Sequence, residues 1–240
     1  MRGNGKAIST GDGIAIDKLL APSDAILFHA YPGGTGGTAI AESIYGLHNS
    51  FGRLTMTWLP KSFESSVDFS DFGFATAGRS YRYYQEQQQQ QEEDGGSASK
   101  ALFSFGEGMS FSDHTLSATA LPVMPSSSGC ELAYDVAVNT TAGVKAGDVV
   151  VMAFLVPESV AGLAPGTPLP KRQLVAAQRV TKQEDGSAEM LLTLDPAAVQ
   201  LTDLDGSRAL RTGSYTVVFS SGVASGEITL PLRIPATGCN

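Results

Sequence analysis

The alternation of apolar and polar residues through the second half of the chain constrains its fold more than any other feature. Leu132, Tyr134, Val136 and Val138 take every second position, as do Met190, Leu192 and Leu194, and Ile228, Leu230, Leu232 and Ile234. A two-residue period sets one side of an extended chain against a core and the other in water. Val149 to Val156 is a near-continuous apolar strand, and Leu174 to Val180 and Ser214 to Phe219 add two more. Asp185-Gly186, Asp205-Gly206 and Ser221-Gly222 punctuate the runs as turns. About seven short strands over roughly 125 residues predict a two-sheet sandwich of immunoglobulin or fibronectin III type. Pro231 assigns the last strand to an edge or a bulge. Ala161 to Pro170, with three prolines, reads as a long inter-strand loop.

The first 60 residues follow a different pattern. Ala25 to His29 reads as a short buried strand. Ala39, Ile40, Ala41, Ile44 and Tyr45 form an apolar face at helical spacing, with Thr38 as N-cap and Gly46 as terminator. Arg53 to Trp58 alternates again, Leu54, Met56 and Trp58 against Arg53, Thr55 and Thr57, and predicts a second strand. Strand, helix, strand points to the edge of an α/β layer. From Lys61 to about Ser112 the chain is irregular. It contains "GRSYRYY" at Gly78 to Tyr84 and "FSFGEGMSF" at Phe103 to Phe111. Between them, Gln85 to Asp94 followed by Gly-Gly-Ser-Ala-Ser is a polar low-complexity tract that buries no core, so a disordered loop is expected over 85–99.

Composition narrows the function. A net charge of −8 argues against nucleic-acid binding, which needs a basic face, and against docking on anionic lipid. No apolar run approaches the roughly 20 residues of a membrane span. Met1 to Lys6 lacks the apolar segment of a secretory signal. Cys130 and Cys239 could bridge in an oxidising compartment, but two cysteines make neither a disulfide framework nor a zinc site. His29, His48 and His114 are scattered without metal-ligand spacing. The residues thus call for no cofactor and no metal.

"YPGGTGGTAIAESIYG", Tyr31 to Gly46, invites a phosphate-binding reading, because a glycine turn after a strand and before a helix is how many nucleotide sites are built. Thr38 stands where a Walker A loop needs lysine. Gly34, Gly36 and Ala39 match a dinucleotide spacing, but that mechanism also needs an acid about 20 residues on. The first acid downstream of the next predicted strand is Glu64, beyond Pro60. The turn is therefore steric, letting the backbone approach a neighbour closely.

"AILFHAYPGGTGGTAIAESIYGLHNSFGRLTMTWLP" resembles the end of the second domain of glycoside hydrolase family 3. There a strand leads into Y-P-G-x-x-G-G-x-A-I-A, a helix and then G-x-x-N-P-S-G-R-L-P-x-T-W. "GRSYRYY" is similar to G-R-T-Y-R-F-Y of the family's β-xylosidase branch. "FSFGEGMSFS" is similar to F-G-x-G-L-S-Y-T, which leads into a fibronectin III-like domain. "KRQLVAAQRV" and "SRALRTGSYTVVFSSG" match strands of that domain. The resemblance covers Ile14 to Ile234. Departures include Ser50, Phe51 and Thr55 in the N-P-S-G-R-L-P turn, Thr35 before the paired glycines, Met109, Phe111 and the long polar tract.

The resemblance implies a multidomain α+β chain. A partial, flavodoxin-like α/β layer occupies 1–75, a linking region with the insertion 76–111, and a fibronectin III-like domain 112–236. It implies a lineage of retaining glycosidases acting on β-linked xylose or arabinose, in an extracellular or vacuolar setting. In that family the nucleophilic aspartate lies in an N-terminal barrel and the acid/base upstream of the glycine turn, so this chain is expected to hold neither and to be inactive alone. Its own acids, Glu42, Glu64, Asp68, Asp71, Glu92, Glu93 and Asp94, are expected to be solvated. No catalytic residue is assigned. Arg79, Tyr81, Arg82 and Tyr83 are the candidates for binding an oligo- or polysaccharide, set against packing as their alternative role. Arg53 is expected to anchor its turn. The expected partners are the barrel domain or another protein. The competing reading is a stand-alone, non-catalytic module that binds a carbohydrate or a protein partner through its sandwich.

Overall fold

A computed structural model describes residues 5–8, 15–49, 51–68, 70–73, 75, 78–84, 101–122, 124–126, 129–140, 147–222 and 226–235. The loop expected over 85–99 and Cys239 lie outside these residues. The chain forms two compact units. The first holds Met1–His48 and Leu54–Phe105, the second Asn49–Arg53 and Gly106–Asn240. Most regular structure is β-sheet, with three short helices among the described residues. No described helix is long and apolar enough to cross a membrane.

In the first unit, β1 (Gly5–Ile8) and β2 (Ala25–Phe28) pair in parallel, Ile8 opposite Phe28. Helix α1 (Asp17–Leu20) lies between them in sequence. Strand β2 is the one the sequence predicts, whereas β1, with only Ala7 and Ile8 apolar, carries no strand signature. Helix α2 spans Gly36–Ile44 and starts earlier than expected, because Thr35, not Thr38, occupies the cap, and it makes no side-chain capping bond. Gly36 has to be glycine, since a Cβ there would overlap the ring of Pro32. Gly46 ends α2 as predicted, at φ 68°. Its N–H donates to Ser43 O (3.1 Å) and the Leu47 N–H to Glu42 O (2.8 Å), the paired bonds of a Schellman stop. Helix α3 (Lys61–Ser66) has its first N–H, that of Lys61, held by both carboxylate oxygens of Asp17 at 3.2 Å.

The strand expected over Arg53–Trp58 does not form. Trp58 makes one isolated bridge, to Phe103, with Trp58 N donating to Phe103 O at 2.8 Å and Leu102 N to Trp58 O at 2.7 Å. The alternation was a signal of facing, not of pairing. Leu54, Met56 and Trp58 turn to the small core of Ile8, Ile16 and Trp58, which Ile26, Phe28, Leu102 and Phe103 also pack against. Phe28 meets Trp58 edge to face at 5.3 Å.

The second unit contains two four-stranded antiparallel sheets. In one, β5 (Gly129–Thr140) pairs with β3 (His114–Ala120), β4 (Met124–Ser126) and β8 (Ser187–Leu194). The other has the order β12-β11-β6-β7: Ile228–Ile234, Gly213–Ser220, Asp148–Val160 and Gln173–Thr181. A short ribbon of β9 (Leu201–Thr202) and β10 (Arg208–Ala209) stands apart. The alternating residues of both sheets share one core. Val136, Val138, Leu192 and Leu194 come from the first, Val151, Leu155, Val217 and Leu232 from the second. Tyr134 of β5 meets Phe219 of β11 edge to face at 5.1 Å across it.

The predicted strands, turns and loop are present. Gly186, Gly206 and Gly222 all take positive φ. Pro231 lies on β12, at the edge of its sheet, where its missing N–H breaks no inner ladder. Strand β6 is buried on both sides, which explains its continuous apolarity: Val151, Ala153 and Leu155 face the core, while Met152 and Phe154 are buried on the other side. A Cβ on Gly106 would lie 3.0 Å from Met152, and the Arg172 guanidinium lies 3.9 Å above the Phe154 ring.

Candidate functional site

Three sequence motifs of the second unit converge on one short segment, Asn49–Arg53. Asn49 is 2 % exposed and its amide is committed on both sides. Its Nδ2 donates to Ser112 Oγ (2.8 Å), while Ser110 Oγ (2.9 Å) and the Phe111 N–H (3.1 Å) donate to its Oδ1. Arg53 holds the other end. Its Nε donates to Ser221 O at 2.6 Å and its Nη1 to Gly52 O at 3.0 Å. Burial and then the nearby Arg179 charge hold its guanidinium below its usual basicity.

Glycines make this seat. A Cβ on Gly222 would overlap Arg53 Nε and Cδ, and one on Gly108 would lie 3.0 Å from Arg53 Cδ. One on Gly147 would overlap Asn49 O. Thus the G-R of "FGRL", the glycines of "FGEG" and the glycine of "SSG" are parts of a single clamp. The sequence identifies Arg53 as an anchor for its local turn. The structure ties it to a residue 168 positions away. Ser110, Ser112, Ser221 and Gly222 carry no local signal that would reveal the partnership.

The candidate sugar-binding residues lie in the first unit. Tyr81 stacks on Phe105, with centroids 3.9 Å apart and planes 12° from parallel, so one face of its ring is covered. An Arg79 Nη2 N–H donates to the Asp68 carbonyl, while its Nε is buried without a hydrogen-bond partner among the described residues. Tyr83 is half-buried in a turn whose N–H bonds return to Ser80 O. Arg82 is exposed. Tyr84, beside them, meets Phe63 edge to face at 6.1 Å. Much of the aromatic character of "GRSYRYY" is thus directed to ring packing inside the unit.

Among the described acids that the sequence singled out, Glu42, Asp68 and Asp71 each serve a local contact. Glu42 pairs with His48 at 3.1 Å on the surface. Asp68 accepts from the Ser70 hydroxyl (2.7 Å) and N–H (2.9 Å), which lowers its pKa, and Asp71 accepts from the Gly73 N–H. These are turn-closing roles. Asp203 likewise accepts from the Thr167 hydroxyl (2.7 Å) and the Ala164 N–H, and faces Arg211 at 3.3 Å. Glu92, Glu93 and Asp94 lie outside the described residues. No group of three or more metal-ligating side chains occurs among the described residues.

Comparison with known proteins shows what the chain is similar to. Residues 7–111 match the model of the glycosyl hydrolase family 3 C-terminal domain. This segment is a family 3 domain. Its relatives include a probable β-D-xylosidase 6 of Arabidopsis thaliana, 27 % identical over 88 % of this chain and 29 % of that protein. A β-xylosidase/α-L-arabinofuranosidase 2 of Medicago sativa subsp. varia is 37 % identical over 44 % of this chain and 13 % of that protein. Among solved structures, a β-glucosidase from Kluyveromyces marxianus superposes with a TM-score of 0.73 at 20 % identity, over 95 % of this chain and 26 % of that one. A β-glucosidase from Listeria innocua gives 0.70 at 17 % identity, over 97 % and 31 %. The chain spans less than a third of the length of each of these relatives.

Proposed function

We propose that this chain is the C-terminal part of a β-xylosidase-like glycosidase, and that it does not hydrolyse glycosides by itself. The observation that carries the reading is the family 3 match over residues 7–111 together with described carboxylates that close turns or bind surface partners. Retaining hydrolysis needs two carboxyl groups about 5 Å apart, one as nucleophile and one as acid/base. The acids the sequence singled out, Glu42, Asp68 and Asp71, are held in local contacts, and in this reading both catalytic groups come from other parts of the assembled enzyme. The relatives named as β-xylosidases and as a β-xylosidase/α-L-arabinofuranosidase favour terminal xylose or arabinose as the substrate of the assembled enzyme.

Within that enzyme we read the first unit as the end of a flavodoxin-like layer and the second as a fibronectin III-like domain. The parallel pair β1–β2 with helical segments around it supports the first. The Tyr215 hydroxyl supports the second. It sits near the start of β11 and donates to Arg211 O, four residues upstream, at 2.7 Å. The bond is of the kind made by the tyrosine corner of immunoglobulin-type sandwiches and supports that reading. The ring packing of Tyr81 favours a scaffolding role for "GRSYRYY" and leaves Arg82 as its exposed polar group. The test is turnover of p-nitrophenyl β-D-xyloside by the purified chain. No release of p-nitrophenol above the uncatalysed rate is expected. Turnover that persists through further purification overturns the reading.

A further inference from the structure

We propose that His114 is an acid-sensitive latch on the Asn49–Arg53 segment, and that protonation of its ring loosens that segment from the rest of the second unit. His114 opens β3, two residues after Ser112, which accepts the Asn49 amide. Both ring nitrogens, Nδ1 and Nε2, are buried without a hydrogen-bond partner among the described residues. A neutral imidazole tolerates that environment. The imidazolium form brings two N–H donors that find no acceptor there.

The charges around the ring reinforce this. His114 lies opposite Thr140 in the β3–β5 ladder, and the Thr140 hydroxyl accepts from Lys182 Nζ at 3.0 Å. Lys182 is 6 % exposed. Arg53, from the clamped segment, is the second cation acting on the ring, and Asp113 the one acid among the described residues. Behind Lys182 stands Asp148, whose carboxylate lies 3.7 Å from Arg179. Arg179 in turn acts on Arg53. Among the described residues, two cations, Lys182 and Arg53, and one acid, Asp113, act on the ring, with Asp148 and Arg179 acting on Lys182 and Arg53 in turn. A charged His114 adds a third cation to Lys182 and Arg53, the residue whose bond to Ser221 O holds the segment.

Burial first, then Lys182 and Arg53, push the His114 pKa down to about 4. When the segment opens and water reaches the ring, the ordinary value of 6.5 returns. The closed state is then disfavoured as pH falls below about 6.5, and the effect levels off below about 4. At pH 5 these two values give at most about a 30-fold gain in the opening equilibrium, less where solvent screens the ring.

The test is hydrogen exchange by mass spectrometry on the full chain at pH 7.5 and 5.0, corrected for intrinsic rates. Peptides covering 49–53 and 110–116 in the wild type are expected to lose protection several-fold, up to about 30-fold, at pH 5. In His114→Gln, neutral at both values, they are expected to keep it. Equal loss in the variant, or unchanged protection in the wild type, overturns the proposal. Proton NMR of the wild-type histidines needs no variant: His114 is expected to titrate near pH 4, and titration near 6.5 overturns the proposal as well.

Discussion

Replacing Tyr215 with phenylalanine removes one hydroxyl and leaves the ring. Tyr215 is 1 % exposed, and its hydroxyl donates to Arg211 O at 2.7 Å. Burial raises its phenol pKa to about 12, so the group is a neutral donor throughout the physiological range. Phenylalanine keeps the packing against the shared core and forfeits only this bond. A net hydrogen bond is worth about 1 kcal/mol, and leaving the part-buried acceptor unpaired raises the cost toward about 2 kcal/mol. With a urea dependence of about 2 kcal/mol per molar, the midpoint of the second unit should fall by about 0.5–1 M. Circular dichroism of the β-sheet signal reports chiefly on that unit, which holds the two four-stranded sheets. Trp58, the chain's single tryptophan, reports on the first unit by fluorescence. A midpoint shift is expected in the dichroism. An unmoved dichroism midpoint in Tyr215→Phe refutes the assignment of this bond as a structural corner.

Gly222→Ala should destabilise the second unit by more than about 2 kcal/mol, because the residue sits at φ 92° and its new Cβ meets Arg53; thermal unfolding against wild type measures it. Adding Arg53→Ala should recover only part of the loss, since Gly106 O also crowds the position. Limited proteolysis should cut the first unit before the second. Its buried cluster is Ile8, Ile16 and Trp58 around a two-stranded sheet, whereas the second unit's core draws on both four-stranded sheets. Simultaneous cleavage of both units would count against that order.

What the sequence revealed by itself was what local pattern can carry. A two-residue period marks which side chains face a core, and it identified β5, β8 and β12 because each had a neighbour to pair with, whereas β3, β4, β9 and β10 were not picked out. Turn glycines and Pro231 act through their own backbone, so their places were legible too. The same period misled at Arg53–Trp58, where Leu54, Met56 and Trp58 do face a core but no strand lies alongside to form a ladder. Strand β1, four residues beginning with glycine and lysine, is extended because β2 pairs with it, and nothing in "GKAI" announces that. The family motifs told the lineage, and for "GRSYRYY" they suggested a sugar contact. Only the packing showed that the Tyr81 ring is stacked on Phe105. Tertiary structure alone joined Asn49 to Ser110 and Ser112, Arg53 to Ser221, and His114 to Lys182 through Thr140. Such contacts link residues tens to more than a hundred positions apart. Their energies depend on burial and geometry that no local pattern encodes.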